Sequence, residues 1–202
     1  MTGAIADCER VLDSFWGQPV NTVTTLAFVV AGLIVAVRSD RGWVATALIA
    51  TGFGSFVFHG PMPAWGDWAH DVSLVWLLVV AGFSGTQFER PTGWPALIVL
   101  AIVIGTTPWA ADPLGVLAAG YAIFAILWRS RSRRVVGAVG LLAVGAVVGR
   151  LSATGGPWCN PDTLLQGHAF WHLASATAVT LWATAEPRFY DQNGADSATQ
   201  ST

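Results

Sequence analysis

The chain has 202 residues, of which 53% are hydrophobic and only 11% charged, with a formal net charge of −2. Soluble domains carry about a quarter of their residues as charges, so this composition excludes an ordinary soluble globule and points to a single helical bundle in a membrane. No basic face stands out, which excludes nucleic acid as a partner.

The N-terminal stretch "MTGAIADCERVLD" has no basic region followed by an apolar core, so no cleavable signal peptide is expected and the first spanning helix should deliver the chain. Residues 1–19 read as an amphipathic segment. Ile5, Cys8, Val11, Leu12, Phe15 and Trp16 have the spacing of a short helix over 5–16 lying on the outer membrane surface. A spanning helix needs about 20 mainly apolar residues. The membrane domain, 20–185, offers seven: 20–38, 42–60, 67–86, 94–109, 112–128, 134–152 and 162–185. Asp67 suits the N-cap of the third. Pro108, Trp109 and Asp112, expected as an N-cap before Pro113, favour two helices over one broken one at the fourth and fifth. The tail, 186–202, is polar and small and is expected to be disordered.

Orientation follows from the arginines. All ten basic residues are arginine, and lysine is absent. That excludes a retinal protein, because a Schiff base needs a lysine. With the N-terminus outside, Arg38, Arg41, Arg90, Arg129, Arg131, Arg133, Arg134 and Arg188 face the cytoplasm, and only Arg10 and Arg150 lie outside. This positive-inside bias predicts an all-α bundle of seven transmembrane helices with a cytoplasmic C-terminus. Trp43, Trp65, Trp68, Trp94, Trp109, Trp128 and Trp158 fall near helix ends, where an interfacial belt belongs. A bacterial plasma (inner) membrane is the expected location.

Ionisable groups inside spans are costly and are functional candidates. "GFGSFVFHG" puts Ser55 and His59 near the outer end of the second span, and "GDWAHDVSLVW" puts His70 and Asp71 near the outer end of the third. "GHAFWH" puts His168 and His172 in the first turns of the seventh. All four histidines thus share one depth. His168 and His172 share a helix face at i, i+4, and with His59 they form the three-ligand set of a catalytic zinc (Zn2+). Adjacent residues on a helix point about 100° apart, so Asp71 is taken as the inward-facing group, able to act as general base or to orient a metal ligand from behind, and His70 as an interface residue. Ser55 lies one turn from His59, placed to bond a developing oxyanion or the zinc-bound water. Trp171, between the last two histidines, reads as packing. Cys8 and Cys159 both fall outside, where a disulfide can persist; a bridge or two free thiols are the alternatives.

These residues resemble the alkaline ceramidases, members of a superfamily of seven-helix membrane hydrolases that also holds the adiponectin receptors and hemolysin III proteins. The shared features are Ser-x-x-x-His at Ser55 and His59, Asp71 at the start of the third helix, His-x-x-x-His at His168 and His172, and "NTVTTLAFVVAGL" from Asn21. The Cys8 and Cys159 pair matches that family's luminal disulfide. The resemblance implies zinc on His59, His168 and His172, Asp71 as base and Ser55 as oxyanion stabiliser. "DCERV" departs from the family's calcium site: Glu9 is kept, but Val11 stands where a ligand amide does and Gln18 where an acid does, which makes calcium (Ca2+) doubtful. Val72 follows Asp71 in place of the usual acid.

The activity implied is hydrolysis of a lipid amide such as ceramide or another N-acyl lipid, with the site toward the outer leaflet. The competing readings are a lipid-binding receptor with a structural zinc, and a transporter. The latter fits poorly, because transport requires polar groups spread through the membrane depth. The sequence leaves oligomeric state open.

Overall fold

A computed structural model describes residues 4–185, with side chains from Ala6 onward. The expectations for the Ile5 side chain, for Arg188 and for the tail 186–202 lie outside what is described. Helices account for every regular element, and no strand occurs among the described residues. They are α1 (Pro19–Thr24), α2 (Leu26–Arg38), α3 (Gly42–His59), α4 (Gly66–Phe83), α5 (Trp94–Thr106), α6 (Ala111–Arg129), α7 (Arg133–Leu151) and α8 (Gly167–Ala183), with 3-10 turns at Ala4–Asp7 and Pro108–Ala110.

Four segments are long and apolar enough to cross a membrane: Pro19–Arg38, Gly42–His59, Pro108–Arg129 and Arg133–Leu151. Trp94–Thr106 is apolar but shorter. The helices that carry most of the polar candidates, α4 and α8, are not among the four. Large apolar side chains such as Val30, Ile98, Leu117, Phe124 and Val147 face outward, as suits a bundle surrounded by lipid.

Four places differ from the sequence reading for local reasons. The first span is interrupted at Thr25: Thr22 and Thr25 donate their hydroxyls back to the carbonyls of Gln18 and Thr22, and Thr24 back to Val20 or Asn21. Such back-bonding bends helices. The last helix begins at Gly167 rather than 162, because the Gln166 side chain donates to the carbonyls of Asn160 and Thr163 and holds the preceding residues in a turn. Asp67 and Asp112 are not N-caps. Each lies in the first turn of its helix, after Trp65 and Ala110 in the cap positions, where a carboxylate still favours the positive helix end.

The expected surface helix over 5–16 is absent. After the 3-10 turn Ala4–Asp7 the chain runs without helix to Gln18, because its polar groups are used elsewhere. Glu9 turns inward and accepts from the first N–H groups of α1, while the bridge at Cys8 ties the segment to the α7–α8 loop. Val11, Leu12, Phe15 and Trp16 remain exposed.

Around the bundle, α7 packs on α8, α8 on α2, α2 on α3, α3 on α4, and α4 on α6, with α5 outside on α4. α6 and α7, neighbours in sequence, touch only sparingly. Close approach is bought with small residues, as expected of helices in lipid. A Cβ at Gly54 would meet the Ala69 carbonyl oxygen at 2.6 Å, so α3 rides directly on α4. At Gly167 a Cβ would collide with the Ser152 side chain at the end of α7. Gly167→Ala should therefore overpack this contact and cost about 1–3 kcal/mol, seen as a lower unfolding midpoint in detergent; an unchanged midpoint would contradict this tight docking of α8.

The two ends of the bundle differ in chemistry. At one end Arg41 donates to the Ser84 hydroxyl and lies 4.9 Å over the Trp182 ring, and Arg129 donates to the Gly82 carbonyl. At the other end converge the start of α1, the end of α3 and the starts of α4 and α8, and with them all four histidines.

Candidate metal centre

The antiparallel run of α3 and α8 brings the last residue of one helix to the first turns of the other. His59 is fully buried, His172 nearly so and His168 partly. Their ring centroids lie 5.0 Å (His59 to His168), 5.1 Å (His59 to His172) and 4.6 Å (His168 to His172) apart. One nitrogen from each can be chosen so that all three lie within 4.8 Å of one another. The sequence-predicted ligand set is therefore brought together in space.

The hydrogen bonds decide which nitrogen each ring offers. The Gln18 Nε2 group donates to the Glu9 carbonyl at 2.9 Å, which aims Gln18 Oε1 at His59 Nδ1, 2.7 Å away. An amide oxygen only accepts, so His59 carries its proton on Nδ1. His168 Nδ1 lies 3.0 Å from Asp7 Oδ1, again an acceptor. His172 Nδ1 lies 3.1 Å from Thr24 Oγ1, whose own proton goes to the carbonyl of Val20 or Asn21. Each ring thus donates from Nδ1 and keeps a lone pair on Nε2.

Those three Nε2 atoms are buried and have no hydrogen-bond partner. Buried polar atoms without partners are rare, and each costs about 1–3 kcal/mol. Three acceptor lone pairs in one pocket match a cation, and imidazoles whose other nitrogen is held by an acceptor are the common arrangement of metal-ligating histidines. The residues present fit a metal ion. Phe28 and Phe58 pack edge-on against His172 and His59, closing the apolar side.

The remaining candidates are not members of the three-histidine cluster. Asp71 is partly exposed, and its Oδ1 lies 3.0 Å from His70 Nδ1. The carboxylate reaches sideways across the angle between neighbouring residues, so the two polar groups act as a pair. The His70 ring stacks on Phe58 at 4.6 Å and lies 6.3 Å from the His59 ring. Ser55 is buried one turn before His59 on α3. Trp171 packs against α7, where Cβ atoms at Gly145 and Gly149 would meet its ring and its Cβ at 3.2 and 3.3 Å.

Sequence reasoning missed the groups that orient the ligands: Asp7, Gln18 and Thr24. None carries a spacing signal, because each acts through a contact made only in the fold. Glu9, carried over from the calcium site of the resembling family, accepts from Val20 N at 2.7 Å and Asn21 N at 2.8 Å. Both of its oxygens thus serve the N-terminus of α1. Cys8 and Cys159 form a disulfide. Beside it, Arg10 grips Asp162 through two bonds of 2.7 and 2.8 Å, and that guanidinium holds the exposed Asp162 carboxyl below its usual range.

Fold and site define a class: a protein all-helical over the described residues, with four segments long and apolar enough to cross a membrane and a three-histidine cluster able to hold a metal ion. No protein-family model matches the chain, and no curated protein matches it.

Proposed function

We propose that the protein is a seven-helix intramembrane hydrolase of the alkaline ceramidase type, a zinc-dependent amidohydrolase releasing a fatty acid from ceramide or a related N-acyl lipid. The observation that carries this reading is the set of three unpartnered imidazole lone pairs buried at one end of an apolar bundle. Zinc is the natural metal for three neutral imidazoles with a further coordination position open to substrate. In this reading the histidine end faces the outer leaflet of a bacterial plasma membrane and the arginine end the cytoplasm. An amide just beneath the lipid headgroups would then meet the site at its own depth.

Bound zinc would supply a Lewis acid that polarises the amide carbonyl and makes water acidic near neutral pH. The chain's own residues do the rest. His59, His168 and His172 hold the centre, with their Nδ1 protons fixed by Gln18, Asp7 and Thr24. The Asp71 carboxylate, bonded to His70 Nδ1, is the proton acceptor, and returns the proton to the leaving amine. The Ser55 hydroxyl is the donor toward the charge developing on the carbonyl oxygen.

The test is fatty acid release from a panel of N-acyl lipids. Wild type should release fatty acid, and Asp71→Ala should reduce the rate by about 10²–10⁴-fold. Release unaffected by Asp71→Ala would reject this base. No release from any lipid, with zinc still bound, would favour a lipid-binding protein with a structural metal.

A further inference from the structure

From Ala6 to Arg10 the N-terminal segment is clasped to the α7–α8 loop. Thr154 N donates to the Ala6 carbonyl at 2.9 Å, Cys8 N to Thr154 Oγ1 at 3.0 Å, and Arg10 N to the Pro161 carbonyl at 3.2 Å. The Cys8–Cys159 bridge and the Arg10–Asp162 pair complete the clasp. At Cys8 the backbone has φ of 70°, and Glu9 N donates back to the Asp7 carbonyl at 2.9 Å. This is a γ-turn in the left-handed region, which a side-chain-bearing residue adopts only when its surroundings enforce it. The reversal sends Glu9 to the start of α1 and Asp7 to the histidines.

Asp7 is the carboxylate that reaches two rings of the centre. Its Oδ1 lies 3.0 Å from His168 Nδ1 and its Oδ2 4.0 Å from His59 Nδ1, with the side chain only 15% exposed. It comes from a single 3-10 turn, not from a packed helix, so its register is set by the clasp on one side and by the bonds of Glu9 to α1 on the other. Three neutral imidazoles bring no charge to a divalent ion. A carboxylate behind a ligating histidine both orients the ring and raises its basicity.

We propose that Asp7 is a positioning residue that sets the metal affinity of the centre, and that the Cys8–Cys159 bridge holds it in place. The proposal rests on the metal reading of the three histidines but not on any hydrolase activity. It is tested on purified full-length protein in detergent, by titrating zinc against a chromophoric chelator and recording the visible spectrum with cobalt(II). Asp7→Asn keeps the shape and a hydrogen-bond acceptor and removes the charge. It should weaken zinc binding about 10–100-fold and shift the cobalt bands, while the melting temperature of the metal-free protein stays at the wild-type value. The double variant Cys8→Ser, Cys159→Ser should also weaken binding, and Asp7→Asn should add little on that background. Wild-type zinc affinity and cobalt spectrum in Asp7→Asn overturn the role of Asp7; fully additive losses overturn the role of the bridge. A wild-type protein that binds no zinc overturns the metal reading itself, a result distinguishable from either.

Discussion

His59→Ala, His168→Ala and His172→Ala should each weaken zinc binding by more than about 100-fold, beyond the ~10–100-fold typical of losing an outer hydrogen-bond partner. Wild-type protein should hold about one zinc per chain, since three ligands with an open position make one site. The physical reason is that the three Nε2 lone pairs are buried together without a donor, so each ring removed takes away a third of the donor set. Because metal binds only the folded chain, zinc should raise the unfolding midpoint of wild type and not of the variants. Metal content from elemental analysis and melting curves with and without zinc check both expectations. Full zinc content in all three variants would remove the centre.

The second large effect concerns the scaffold. Trp76→Ala should destabilise the protein by about 3–5 kcal/mol, the range for deleting a buried aromatic side chain. Trp76 is 1% exposed on α4 and stacks 6.1 Å from the Trp94 ring. Its Nε1 donates to the carbonyls of Thr92 and Gly93 at 2.9 and 3.1 Å. Removal leaves both a void and two buried carbonyls without their donor. In lipid the hydrophobic gain between helices is small, so packing and hydrogen bonds carry the stability, and both are lost here. Trp109→Ala, at a residue 77% exposed, should stay within about ±0.5 kcal/mol. Equal melting shifts for the two variants would contradict this assignment of Trp76.

Much of the architecture was legible because periodicity and composition act locally. Apolar runs of helix length, separated by arginine, glycine and proline, gave helices within a few residues of those seen. The failures arose where contacts from elsewhere in the chain override the local pattern. Ile5 to Trp16 has the spacing of an amphipathic helix, but a disulfide and an inward-turned glutamate outweigh a short helix's weak intrinsic stability. Asp67 and Asp112 lie inside the first turn rather than at the cap, because helix ends are set by the chain entering them, here through Trp65 and Ala110.

For the site, the sequence by itself determined the residue types and the helix ends they occupy: three histidines toward one end of an apolar bundle, two of them one turn apart on α8. That much follows from the length of a helix that crosses a membrane and from the high cost of burying polar groups there. Only the tertiary structure decided which nitrogen each ring presents, since that depends on Gln18, Asp7 and Thr24, residues distant in sequence from the rings they hold. It also decided that Asp71 pairs with His70 while Asp7, on a clasped segment with no periodicity of its own, stands behind the ligands. Hydrogen-bond partners are chosen by distances of about 3 Å, and no pattern along a chain encodes those.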